Sequence, residues 1–312
     1  MYDYAALQFV VVDLLNQSLM NESSSIEMLV ELNRQAGKKA LASSAFAPAA
    51  DHLRNALDNI STNTQQWKDE NYKLLLDIHN ALVSADFCNG SWERLDKDIQ
   101  TILRQENRPI FDKIVAYTTS ITALSTHNHN HDGAIALSVN ELKELGVKFR
   151  PSLGKLGVVG ALLKTKQLLK KNPLDIVLQQ SNMTDKSKTV ALDLILAINS
   201  SLYAANPDLL MLTVLKTVRR SLKYGVSRHS SNCIGIYGLL ELALGNIQGA
   251  TAACNIALQL AKKQGLLDTE FAPIAPTLAF FCLGRHLCIP ARRNYSRRTM
   301  LVCKAVIWNT LS

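Results

Sequence analysis

The chain is predicted to be all-α, an α-solenoid of antiparallel helix hairpins, and three observations predict it. Leu and Ala dominate the apolar residues while aromatics are only 6% of the 312 residues, a balance that favours helix over strand. Apolar residues recur at steps of three and four nearly end to end, and no stretch sustains two-residue alternation. Small residues return at fixed offsets in several places, as they do where two helices of a hairpin cross closely. About twelve to fourteen helices of ordinary length are expected. A hydrophobic content of 47% against 19% charged residues is enough to bury a sizeable core.

The first hairpin is expected within 29–60. Its segment AGKKALASSAFAPAADHLRNAL (36–57) holds eight alanines and one glycine. Around the anchor Ala49, Gly37 lies twelve residues before, Phe46 three before, Leu53 four after and Ala56 seven after. The small residues mark the tight crossing, and the larger ones at steps of four and seven continue the stripe towards the next hairpin. The second unit, near 70–105, is anchored on Leu95. Gly90 stands five before it to end the preceding helix in the left-handed conformation, and Trp92 three before it plugs the turn. The third unit, near 109–146, follows Asn107-Arg108-Pro109 and is anchored on Ala134, with Ile135, Leu137 and Leu142 on its stripe. No glycine stands five before that anchor; THNHNHD (126–132) makes the turn.

Residues 148–228 read as helical but off this pattern. Within them, 208–223 carries the stripe Met211, Leu215, Val218 and Leu222, with Arg219, Arg220 and Lys223 elsewhere on the wheel. The fourth unit, 229–265, repeats the first around Ala250, with Gly238 twelve before, Gly245 five before, Ile247 three before, Cys254 four after and Ala257 seven after. From Arg285 the pattern fades and five arginines fall by Arg298, so 286–312 is expected to be a divergent basic tail or last helix, and the body to span 1–285.

Charge and cysteine usage bound the setting. The net charge is +8, yet no Lys or Arg precedes Arg34. A modest basic excess permits an anionic partner without requiring one. Lys164, Lys166, Lys170 and Lys171 lie along one or two faces of a helix, but no stacking aromatics interleave with them, which disfavours nucleic acid. The six cysteines form no C-x-x-C pair, and a reducing, cytoplasmic setting is expected. The start lacks a basic, secretory n-region, and the uncharged run 242–261 is too polar to cross a membrane.

The motifs of phosphate chemistry are missing. No G-x-x-x-x-G-K-[ST] occurs, and PSLGKLG (151–157) lacks both its first glycine and the hydroxyl after the lysine. Kinase catalytic loops, a G-x-S-x-G elbow and H-E-x-x-H are absent too, so no catalytic residue and no cofactor is expected. His127, His129 and His131 alternate beside Asp132 and are the weak candidates for a Zn²⁺ or Ni²⁺ site; the flanking asparagines and the repeat frame make the same segment a polar turn.

The hairpin spacing resembles degenerate tetratricopeptide-like repeats. At a finer level the chain resembles the tetratricopeptide-like helical region of large multidomain signalling proteins. These join an AAA/STAND-type ATPase to a sensor histidine kinase or a Ser/Thr kinase. The segments carrying the resemblance are FVVVDLLNQSL (9–19), the run 29–57, LLLDIHNALVSADFCNGSWERLDKDIQTIL (74–103), GAIALSVNELKELGV (133–147), the run 183–225 and YGLLELALGNIQGATAACNIALQLAKKQG (237–265). It covers about 5–285. The resemblance implies a non-catalytic interaction and coupling module of a phosphorelay or STAND regulator, as a fragment or stripped-down relative without ATPase and kinase domains. A stand-alone scaffold of such repeats is the alternative. The implied partner is a protein or peptide on the concave face, with ATPase or kinase domains engaged in cis or in trans.

Overall fold

The computed structural model describes residues 4–17, 23–60, 67–147 and 154–265. Among these residues there are thirteen α-helices and no strand, only an isolated parallel bridge between Asn182 and Val226. The basic tail 286–312 lies outside the described residues. The described residues fall into two compact units that divide between Ala134 and Ile135. The division falls within the expected unit 109–146.

Unit 1 contains α1 (Tyr4–Gln17), α2 (Ser23–Ala42), α3 (Phe46–Asn59), α4 (Asp69–Asn89), α5 (Trp92–Leu103) and α6 (Ile114–Thr126), with a 3-10 turn at Ile110–Asp112 before α6. Each helix from α2 to α6 packs on the next, and α4 also meets α2 and α6. The α2–α3 crossing is close because its side chains are small. Ala36, Ala40, Ala49 and Ala56 are buried, and a Cβ added to Gly37 would lie 2.6 Å from Leu53 Cγ and 3.1 Å from the Ala49 carbonyl. No glycine is available for the turn; Ser44 takes the left-handed conformation instead, at φ 59°. A left-handed L-residue carries about 1–2 kcal/mol of strain. Ser44→Gly should therefore raise the urea midpoint, corresponding to a gain of up to about 1 kcal/mol in stability once glycine's extra chain entropy is subtracted. An unchanged or lower midpoint would show that the turn is not strained.

Gly90 ends α4 at φ 73°, with the Ser91 amide bonded to the Asp86 carbonyl at 2.9 Å and the Gly90 amide to Phe87, a glycine-terminated helix end. Leu95, Ile99 and Ile102 then form the buried stripe of α5. Trp92 is half-buried: its ring meets Phe87 edge-on at 5.9 Å and stacks on His127 at 3.9 Å. A polar network ties α3, α4 and α5 together. Arg54 Nη2 donates to Asp86 Oδ2 at 2.5 Å and lies 3.7 Å from Asp98, which holds His79 Nδ1 at 2.8 Å under the Trp67 ring. Asp86 is fully buried, and that burial raises its carboxyl pKa despite the Arg54 contact.

α7 (His131–Glu144) runs across the division. Unit 2 continues with α8 (Gly154–Lys171), a 3-10 turn at Leu174–Leu178, α9 (Lys186–Ala197), α10 (Asn199–Ala205), α11 (Pro207–Tyr224), α12 (Ser230–Ala243) and α13 (Ile247–Lys263). α11 is its central helix: it packs on α8, α10, α12 and the 3-10 turn. Asn206 caps α11, its side-chain oxygen accepting from the Leu209 amide at 3.0 Å, and Pro207 occupies the first turn. The residues Leu215, Val218 and Leu222 that the sequence places on one stripe are buried, while Met211 is half-buried.

The α12–α13 hairpin repeats the logic of α2–α3. Ala250, Ala253 and Ala257 are fully buried, and a Cβ on Gly238 would stand 3.0 Å from Cys254 Sγ and 3.3 Å from the Ala250 carbonyl. Gly245, at φ 79°, makes the turn. Burial pushes the Cys233 and Cys254 thiols up to about 12, so they serve as small apolar side chains. Ala250→Leu should destabilise by about 1–3 kcal/mol through overpacking at this crossing. Gln248→Leu gains the same side chain two residues earlier, at an exposed position of α13, and should stay within about 0.5 kcal/mol. Equal urea midpoints for the two at unchanged m-value would mean that Ala250 has room for a leucine.

Candidate functional site

The expected metal candidates do not converge. His127 is committed to its stack on Trp92, His129 makes the turn at φ 51°, and His131 opens α7. Among the described residues no three His, Cys, Asp or Glu side chains are placed to hold a metal ion. The left-handed His129 answers the missing glycine of that turn. As for the other anchors, Gly37, Ala49 and Ala56 lie at the α2–α3 crossing. Gly90, Trp92 and Leu95 lie at the α4–α5 turn, and Gly238, Gly245, Ala250 and Ala257 in the α12–α13 hairpin. Ala134 is buried in α7.

A different set of residues forms a surface feature of unit 2. α8 packs on α11 with Thr165 buried between them, and Arg219 reaches across to donate to the Ala161 carbonyl at 3.0 Å. The opposite side of α8 is uncovered. Leu156, Val159 and Leu163 are 87%, 53% and 63% exposed, and Lys166 and Lys170 continue the same stripe at steps of three and four. The stripe is thus apolar in its first half and basic in its second.

The basic half borders a cleft of about 400 Å³. Leu169, Pro173, Leu174 and Ala252 give it an apolar lining, and Tyr237, Glu241, Asn246 and Gly249 form its polar side. Glu241 is 2% exposed and is held from two directions. The Tyr237 hydroxyl donates to Oε1 and Asn246 Nδ2 to Oε2 at 2.6 Å, while the Asn246 side-chain oxygen caps α13 by accepting from the Gly249 amide at 3.1 Å. Burial and the Glu241 carboxylate both raise the Tyr237 hydroxyl pKa, which keeps it a donor. Lys166 Nζ lies 3.6 Å from Glu241 Oε1. Glu241 therefore fixes the cleft wall and steadies one lysine, while Lys170 makes no ion pair among the described residues.

The field around this stripe is positive. α8 carries five lysines and no acidic residue, and α11 has only Asp208 against Lys216, Arg219, Arg220 and Lys223. Burial, with Arg220 and Arg219 nearby, lowers the Lys216 ammonium to about 8. Of this site, the sequence pointed only to Lys166 and Lys170. Glu241 had a signal: it is the one carboxylate between Cys233 and Ala261, and a charge in an apolar helix calls for partners. Among the described residues no helix is long and apolar enough to cross a membrane.

Comparison with known proteins gives one distant relative. Over 258 residues, 74% of this chain, the sequence is 22% identical to hybrid signal transduction histidine kinase G of Dictyostelium discoideum. The match spans only 8% of that kinase's length. No family profile matches the chain, and no solved structure matches it.

Proposed function

We propose that this chain is a non-catalytic interaction and coupling module of a signal-transduction regulator, built as a degenerate tetratricopeptide-like solenoid. The observation that carries the reading is the match to a signalling histidine kinase, which covers most of this chain but a small part of that protein. Such a ratio fits a helical module embedded among other domains. The succession of α2 to α6, each packed on the next, supports the solenoid, because stacked hairpins are how repeat proteins extend a binding surface. The absence from the sequence of a P-loop and of kinase motifs supports a non-catalytic role. In this reading a protein or peptide binds the helical surface, and binding alters an ATPase or kinase domain in cis or in trans.

The purified chain should neither turn over ATP nor take up labelled phosphate from it. Turnover that co-purifies with the protein through successive columns would sink the non-catalytic reading. The coupling role is tested by the DNA on either side of the coding region. P-loop and kinase coding sequence in frame or adjacent supports it, whereas unrelated flanks would leave a stand-alone scaffold.

A further inference from the structure

The uncovered side of α8 has the length, pattern and charge of a docking strip, and this inference rests on the interaction-module reading above. From Leu156 to Lys170 the strip spans about four helical turns, or roughly 21 Å. Its first two turns present leucine and valine side chains at more than half exposure, which a soluble helix rarely leaves as a continuous line. Its last turns present ammonium groups beside a concave, apolar-lined cleft. We propose that this strip binds an amphipathic helix of a partner protein, apolar along one side and acidic towards one end. The apolar side covers Leu156, Val159 and Leu163, and the acidic end meets Lys166 and Lys170.

Charge complementarity selects this occupant. The surrounding elements bring mostly cations to α8: the carboxylates are Asp208 on α11, Asp175 in the 3-10 turn after α8, which makes no ion pair with Lys166 or Lys170 among the described residues, and Glu241, which is already held by Tyr237 and Asn246. An acidic helix end supplies the opposite sign at the one place where Lys170 lacks it. The chain's own arginine-rich segment after Arg285 has the wrong sign for this half of the strip. A basic, leucine-bearing helix is also a pattern used on anionic membranes. Here two lysines lie on the apolar line itself rather than beside it, and the buried Glu241 sits behind them. A concave wall of that kind receives a ridge of side chains better than a flat lipid surface.

The test uses the full chain and a displayed library of 18-residue helix-forming peptides. Leucine is fixed at three-four spacing in them, and the other positions are drawn from Asp, Glu, Lys and Ser. The selected peptides should carry Asp or Glu concentrated at one end. Their affinity should fall at least about tenfold on Leu163→Asp and on the double variant Lys166→Glu/Lys170→Glu, and fall further with added salt. Leu163→Asp alters an exposed side chain, so its circular dichroism and urea midpoint should match the parent; the double variant sets a carboxylate beside the buried Glu241, so its midpoint should fall somewhat while its circular dichroism stays helical. Replacing the acidic residues of a selected peptide by lysine should restore binding to the Lys→Glu double variant.

Several results would overturn the proposal. Peptides without an acidic excess would do so, as would affinities indifferent to both variants; binding indifferent to the variants still leaves an interaction module, with its site elsewhere. A library that yields no binder overturns the strip. Concentration-dependent self-association lost in Leu163→Asp would assign the strip to a second copy of the chain. Co-sedimentation with phosphatidylserine vesicles, lost in the same variant, would assign it to lipid.

Discussion

Gly225→Ala is expected to destabilise unit 2 by about 3 kcal/mol or more, one of the two largest effects of any single substitution considered. Gly225 follows α11 at φ 96° and ψ 172°, a backbone region that is essentially closed to residues with a Cβ. Space is closed as well: the added carbon would fall 2.6 Å from the Ser181 carbonyl and 3.3 Å from the Met183 amide. Those atoms cannot step aside cheaply. The Val226 amide donates to Ser181 at 3.0 Å, and the Met183 amide donates to Val226 at 2.8 Å, so the two extended pieces are laced together where α11 turns towards α12. Gly90→Ala is the matched control, since Gly90 is also left-handed but nothing lies within 4 Å of its Cβ position. It should lose only about 1 kcal/mol. If the two urea midpoints fall equally, the close approach of 181–183 to Gly225 is not what holds this corner.

Asp86→Ala is the second large loss, about 3 kcal/mol. The truncation leaves the Arg54 guanidinium in a buried seam without its main acceptor. The value sits at the lower end of the usual range for breaking a buried pair because Arg54 is about a quarter exposed and keeps Asp98 at 3.7 Å. The sharper test is the double variant Arg54→Met/Asp86→Ala. Removing both charges removes the desolvation problem, so the double variant should recover at least half of the single-variant loss. Losses that simply add would show that the two side chains act independently and that Arg54 is satisfied by solvent.

These two sites also mark the limit of what the sequence made legible. The hairpin crossings could be read because their determinants are local: Gly37 and Ala49, or Gly238 and Ala250, stand twelve residues apart, and a small residue at that spacing has a direct geometric meaning. The Arg54–Asp86 pair spans 32 residues and two helices, and nothing in the pattern of either helix names its partner. Gly225 could be seen as a helix end, but its near contact with Ser181 depends on a chain crossing that periodicity does not encode. The turn at 126–132 was expected without a glycine, but which residue of such a turn takes the left-handed conformation was not legible, for a simpler reason. Ser44 and His129 adopt the left-handed conformation although their side chains do not advertise it. The α8 strip shows the same boundary from the other side. This helix has apolar residues around most of its circumference, and only the docking of Thr165 onto α11 decides which of them face outward.

The neighbour-on-neighbour packing of α2 to α6 has a consequence for how the protein is made. Most pairing in this region joins helices adjacent in the chain, so closing each of those contacts requires only a short loop to be ordered. Chains dominated by such contacts reach the native state on microsecond-to-millisecond times, far faster than a ribosome adds the next helix at about 5–20 residues per second. The α2–α3 hairpin is complete in sequence at Asn59. It can therefore close its alanine seam as it leaves the ribosome, and α4 and α5 are then laid onto a surface that already exists. Unit 1 is built in the order in which it is translated, each helix using the previous one as its template.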